Sequence, residues 1–159
     1  EISVHQIISG LAAGGDILYE DADEQLALIP EHSYGIAILS ETLQVFRRPR
    51  VLLKHILRIA DEAVVAFPNF AALSVRLQLA FRGRMPVGKQ LPFAWYNTPN
   101  IHLCTLKDFR ALCHRDGIEI REERAESRNL FGRILIAIGL PNLGAERVIV
   151  RLGRKASAS

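Results

Sequence analysis

The chain of 159 residues has no apolar run of membrane-spanning length: its longest, such as Ile36 to Leu39 and Ala63 to Phe67, fall far short of the roughly 20 residues a spanning helix needs. No leader of signal-peptide form opens it either, and the two observations together predict a cytoplasmic protein away from membranes. Cysteine is scarce. Cys104 and Cys113 have neither metal-ligand spacing nor the arithmetic of a disulfide framework, so both are expected to be reduced and partly buried. His5, His32, His55 and His114 are dispersed and form no metal set. No Ser-His-Asp or Cys-His arrangement is visible, which leaves hydrolase chemistry without support. Net charge is only +3, and although Arg47, Arg48, Arg50 and Lys54 lie close together, no aromatic-basic alternation accompanies them. A solvated basic surface is the better reading than a nucleic-acid interface.

What the chain does have is apolar residues, 49% of the total, enough for one good core. A single domain over 1–159 is expected, with a basic, Ser/Ala-rich flexible tail over 153–159. The chain begins at Glu1 rather than Met and enters a helical pattern within a few residues, as though already inside a fold. Val4, Ile7, Ile8 and Leu11 predict a helix over Ser3 to Ala13, followed by a brief strand at Asp16 to Tyr19 and the acidic stretch from Glu20 to Glu24. Tyr34 to Leu39 is apolar on both faces, the pattern of a central strand in a covered parallel sheet. Pro49 suits the first turn of a helix carrying Leu52, Leu53, Ile56 and Leu57 on one face.

The next strand is expected at Glu62 to Phe67, stopped by Pro68-Asn69, and a further helix bears Leu73, Leu77, Ala80 and Phe81 and ends near Gly83. Thr105 to Asp108 has the form of a capping box, opening a helix whose face is Leu106, Phe109, Leu112 and Cys113 and whose C′ residue is Gly117. Ile118 to Glu123 alternates as an edge or antiparallel strand, and Val148 to Leu152 makes the last one. Ser127 to Ala145 is expected to join them as a turn of helix and loop. This order defines an α/β layered sheet with late antiparallel strands. Ligands bind such sheets at the rim formed by the strands' carboxyl ends.

One stretch departs from helix and strand patterning. Arg82 to Thr105 holds Pro86, Pro92, Pro99, Gly83, Gly88, the sole Trp and Tyr96, so neither a long helix nor a central strand can pass through it. A loop this long inside a compact domain is usually functional.

Those residues carry a resemblance. Ile38-Leu-Ser-Glu-Thr-Leu-Gln44, Arg47-Arg-Pro49, Phe67-Pro-Asn-Phe70, Arg76-Leu-Gln-Leu79, Arg82-Gly-Arg-Met-Pro86, Leu91-Pro92, Trp95-Tyr96, Thr98-Pro-Asn-Ile-His-Leu-Cys-Thr105 and Asp108-Phe109 closely resemble the MetW family of bacterial methionine biosynthesis. The similarity implies a fold of the class I S-adenosylmethionine-dependent methyltransferase type: a three-layer, Rossmann-like sheet whose last strand is antiparallel. It also implies association with homoserine O-acyltransferase, and it leaves self-association open. The Asp-Leu-Gly-Cys-Gly-x-Gly type of turn that holds the cofactor's methionine portion in such enzymes does not occur here. By the resemblance, the chain starts at the acidic residue that ends the second strand, so the first strand and its glycine-rich turn would precede Glu1.

The same resemblance assigns candidate roles. Glu1 would accept hydrogen bonds from the ribose diol of S-adenosylmethionine, and Asp21, with Ala22 beside it, would face the adenine; a solvated rim is the alternative for Asp21. Ser40, Glu41 and Thr42 fall where related enzymes touch the cofactor, but turn capping explains them equally well. Asn69 falls where an acceptor substrate is met, or is a plain turn residue. His102 and Tyr96 are the loop residues with chemistry suited to proton removal, against a structural reading for His102. Trp95, Phe93 and Tyr96, with Asn100, either line an acceptor pocket or anchor a protein partner. Three functions follow: a MetW-like protein acting with homoserine O-acyltransferase, a methyltransferase of an unidentified small molecule, or a chain that lacks cofactor binding altogether.

Overall fold

The computed structural model describes residues 26–154 except 89, 90, 92, 99 and 100. The expected helix at Ser3 to Ala13, the strand at Asp16 to Tyr19 and the candidates Glu1, Asp21, Ala22 and Asn100 lie outside those residues, as do 155–159 of the expected tail.

Four strands form one sheet in the order β1-β2-β4-β3, with β1 at Tyr34–Ser40, β2 at Ala60–Pro68, β3 at Ile118–Glu126 and β4 at Arg147–Arg154. β1 and β2 are parallel, joined by helix α1 (Pro49–Ile59), while β4 runs antiparallel to both β2 and β3. The expected antiparallel last strand is therefore present. It inserts between β2 and β3, so the carboxyl ends of β1, β2 and β3 share a rim with the start of β4.

Alternation builds the core. Leu39, Ala63, Val65, Phe67, Val148, Val150 and Leu152 point to one face and are buried there against Leu52, Leu53, Ile56 and Leu57 of α1. Helix α3 (Leu106–Asp116) closes the same face with Leu106, Phe109 and Cys113, and the Phe67 and Phe109 rings meet at 4.7 Å. Each of the Val, Leu, Ile and Phe side chains among them contributes about 1.5–3 kcal/mol on burial. The N-cap half of the expected capping box forms, with Thr105 Oγ1 accepting from the Asp108 amide at 3.2 Å, while the Asp108 carboxylate accepts from the Thr105 hydroxyl at 2.6 Å; Gly117 ends α3 at φ 66°.

Three expectations change. Tyr34 to Leu39 is not a central strand among the described residues: β1 is outermost, and Tyr34, Ile36 and Ile38 on its second face are exposed. An apolar run signals burial on both faces, and the further strand expected at Asp16 to Tyr19 lies outside the described residues. The segment 127–145 is more helical than the sequence predicts. It folds into α4 (Leu130–Ala137), capped by the Asn129 side chain on the Gly132 amide, and the one-turn α5 (Pro141–Gly144). These two pack with Gly132 against Gly144, where a Cβ at either position would overlap the other's carbonyl oxygen. Finally, Gly153 and Arg154 belong to β4 and not to the tail. Arg154 is tied down by donating from Nε to the Leu57 carbonyl at 2.6 Å and from Nη2 to that of Arg58 at 2.8 Å.

Helix α2 (Leu73–Arg82) appears where expected but buries none of its residues, and Leu77, Leu79 and Phe81 stay exposed. No described residue from 83 to 105 lies in a helix or strand, as the prolines of that stretch predict.

Candidate functional site

The chain leaves β1 through Ser40, Glu41 and Thr42, all exposed on the carboxyl rim. Glu41 sits at φ 56°, a left-handed conformation that costs a non-glycine residue of order 1 kcal/mol and is held here by its amide donating to the Ala66 carbonyl at 2.8 Å. The chain then turns inward, so that Leu43 and Gln44 are buried. Gln44 Nε2 donates to the Pro68 carbonyl at the end of β2, and Gln44 Oε1 has no hydrogen-bond partner among the described residues.

Gln44 also positions the long loop. Its main-chain carbonyl accepts from the amides of both Ile101 and His102, at 3.0 and 3.1 Å, which fastens the loop's end just past the rim turn. The His102 ring is exposed and places Nε2 3.4 Å from the Arg47 carbonyl. His102, Gln44, Cys104 and Asp108 share a small cavity of about 190 Å³. Earlier in the loop Trp95 and Tyr96 form an edge-on pair at 5.8 Å, with 75% and 74% of their surface exposed. Phe93 is exposed as well. Among the described residues these aromatics therefore stand in solvent, and none of Phe93, Trp95, Tyr96 and His102 borders the cavity of about 680 Å³ on the rim.

Asn69 lies 2% exposed with its amide fully engaged. Nδ2 donates to the carbonyls of Asn142 (3.0 Å) and Ala145 (2.8 Å), and Oδ1 accepts from the amides of Ala71 (3.1 Å) and Leu106 (3.2 Å). Every donor and acceptor of the side chain is used to join the end of β2 to α3 and α5. The side chain thus has a positioning role, and the residue also borders a cavity of about 320 Å³ together with Pro68, Ser74 and Val75. Burial pushes the Cys104 thiol up to about 12 and that of Cys113 to about 11, with Asp108 and Asp116 respectively adding to the shift, so neither is a ready nucleophile. Among the described residues no group of His, Cys, Asp or Glu is arranged to hold a metal ion, and no helix is long and apolar enough to cross a membrane.

A cavity of about 680 Å³ among the described residues opens where the rim meets α4. Glu41 and Pro68 border it from the ends of β1 and β2, Arg147 from the start of β4, and Glu126 from the end of β3. Arg128 and Arg133 reach it from the β3–α4 turn and from α4. Sequence reasoning found Glu41 alone of these charged residues. The others are scattered from 126 to 147, and only the antiparallel register, which sets Glu126 and Pro68 on either side of Arg147, brings them together.

This arrangement of strands and rim is that of the class I S-adenosylmethionine-dependent methyltransferase fold. It is shared with a methyltransferase of Thermotoga maritima described as a possible histamine N-methyltransferase (14% identity, TM-score 0.63, 96% of this chain and 70% of that one). An S-adenosylmethionine-dependent methyltransferase from Mesorhizobium loti is similar too (16%, TM-score 0.61, 97% and 78%). The profile of the family Methionine biosynthesis protein MetW matches residues 1–152, and the chain belongs to that family. A relative from Rhodopirellula baltica, the bifunctional methionine biosynthesis protein MetXA/MetW, is 28% identical over 156 residues. The match takes in 98% of this chain and only 25% of that relative's length.

Proposed function

We propose that this chain acts in methionine biosynthesis together with homoserine O-acyltransferase, and that it binds S-adenosylmethionine against the carboxyl rim of β1. The observation that carries the partnership is the relative in which MetXA and MetW are one polypeptide. Joining two modules raises the effective concentration of one at the other, an advantage when the two work as a pair. The exposed aromatics of the loop, Trp95, Tyr96 and Phe93, supply the type of surface on which protein partners anchor. A cytoplasmic location belongs to the same reading.

For the cofactor, the described residues offer one flank of a site: exposed Ser40, Glu41 and Thr42 at the end of a parallel strand, fixed by the bond from Glu41 to Ala66. That flank fits a ligand lying across the rim. Glu1, Asp21 and Ala22 would contribute the ribose and adenine contacts. When bound, S-adenosylmethionine supplies an electrophilic methyl group. The residues of this chain would orient it, with the fastened loop end at Ile101 and His102 limiting access from one side.

Co-expression with homoserine O-acyltransferase tests the partnership. The two are expected to co-elute and acyl transfer to change rate in the mixture; separate elution with an unchanged rate would sink it. Calorimetry with S-adenosylmethionine tests the cofactor, with Asp21→Ala expected to weaken binding. The cavity beside the rim favours a second reading, methyl transfer to a small acceptor. Labelled S-adenosylmethionine with a broad acceptor panel checks it, and an absence of transfer to every acceptor counts against it.

A further inference from the structure

The charges around the large cavity are not balanced among themselves. Arg147 is matched: its Nε is 3.3 Å from Glu41 Oε1, although that buried nitrogen completes no well-aligned hydrogen bond. Among the described residues, the side chains of Arg128, Arg133 and Glu126 form no ion pair and no hydrogen bond. Arg128, Arg133 and Glu126 thus border a space of about 680 Å³ with no side-chain partner of opposite charge among the described residues, and Arg128 borders the neighbouring cavity of about 320 Å³ as well. The backbone around them is fixed by other means. The Glu146 carboxylate accepts from the Arg128 amide at 3.3 Å and from Asn129 Nδ2 at 2.9 Å, and Asn129 in turn caps α4 on the turn that carries Arg133.

We propose that this cavity binds a small α-amino acid as its zwitterion. The ligand's carboxylate is held by Arg133 and Arg128, its ammonium lies against Glu126, and its side chain runs along Pro68 and Ile136. Guanidinium matches a carboxylate with two parallel hydrogen bonds, and that pairing sets orientation as well as strength. Glu126 selects against dianions, because a second negative group would meet its carboxylate. Glu41, paired with Arg147, borders the cavity on the β1 side and belongs to the turn read as the cofactor's flank. The inference concerns a different ligand from the acyltransferase and stands or falls without it.

Isothermal titration of the chain with four probes tests it: L-norleucine, hexanoate, hexylamine and inorganic phosphate. Norleucine is expected to bind saturably. Hexanoate should bind about tenfold more weakly, and hexylamine and phosphate should give no saturable heat. Arg133→Ala and Arg128→Ala should each weaken norleucine by about tenfold or more, with unfolding curves unchanged because both residues are exposed. Glu126→Gln should bring norleucine and hexanoate to similar affinity. Phosphate binding more tightly than norleucine, no saturation by norleucine, or full norleucine affinity in both arginine variants would each overturn the proposal.

Discussion

Arg50, at the start of α1, grips Asp116, at the end of α3, through two hydrogen bonds: Nε to Oδ2 at 2.7 Å and Nη2 to Oδ1 at 2.8 Å. The Asp116 side chain is 1% exposed, so this bidentate pair ties together the two helices that cover the core face of the sheet. The hydrogen bond from Arg50 holds the Asp116 carboxyl below its ordinary value of 3.8, with the charges of Arg50, Lys54 and Arg115 assisting. A carboxyl depressed in the folded state contributes stability that is fully present above its unfolded pKa and lost as pH falls through the folded one. Denaturant unfolding from pH 7 down to acid should therefore show a loss that begins near the ordinary carboxylate range and continues below it. Asp116→Asn should remove that part of the pH dependence and lower stability at neutral pH. An unchanged acid limb in the variant would mean that the pair contributes nothing.

The thiols allow a simpler measurement. With the Cys104 value pushed up to about 12, the thiolate fraction at pH 8 is about one in ten thousand. Cys113 is 1% exposed and has its own value raised to about 11. A disulfide exchange reagent at pH 8 should label neither cysteine rapidly in the folded protein and both at once in guanidinium. Fast labelling of Cys104 in the native state would show that its surroundings open far more readily than the packing implies.

Much of this architecture was legible in the sequence, and the reasons differ by element. Helix α3 carries its start in Thr105 and Asp108 and its stop in Gly117, so local hydrogen bonding alone defines it. β3 and β4 follow from alternation, because one face meets the core and the other does not. α4 was hidden: Asn129 caps it, but Gly132 in its first turn reads as a loop signal until the close approach to Gly144 is known. The rim cavity was the least legible. Its arginines contribute through strand register, a property of pairing between segments that no single segment states. For Asn69 the place after β2 was visible while its four partners were not.

Asn69 separates a structural role from a substrate-binding one. Asn69→Asp keeps the shape but turns a donor to the Asn142 and Ala145 carbonyls into a third acceptor, buried and charged. The cost should be about 2–4 kcal/mol of folding stability, read from the shift in denaturant midpoint at constant slope. At temperatures where the variant stays folded, its affinity for S-adenosylmethionine should match that of the parent. A stable Asn69→Asp protein with altered S-adenosylmethionine affinity would give the residue a role in ligand binding as well.

Trp95 gives the converse case. Its indole is 75% exposed and touches the Tyr96 ring alone among the aromatics described, so Trp95→Ala should change folding stability by no more than about 0.5 kcal/mol. As the sole Trp it also reports directly on its own surroundings: emission of the isolated protein should be that of a solvated indole and readily quenched by iodide. If the loop is where homoserine O-acyltransferase docks, mixing the two should shift that emission to the blue and shield it from iodide, and Trp95→Ala should lower co-elution without affecting S-adenosylmethionine binding. Emission and quenching that stay the same in a mixture that nevertheless co-elutes would move the contact elsewhere. The exposed apolar side chains of α4, Leu130, Phe131 and Ile134, with Ile138 at its C-cap, would then be the next surface to alter, because a helix presents them to solvent.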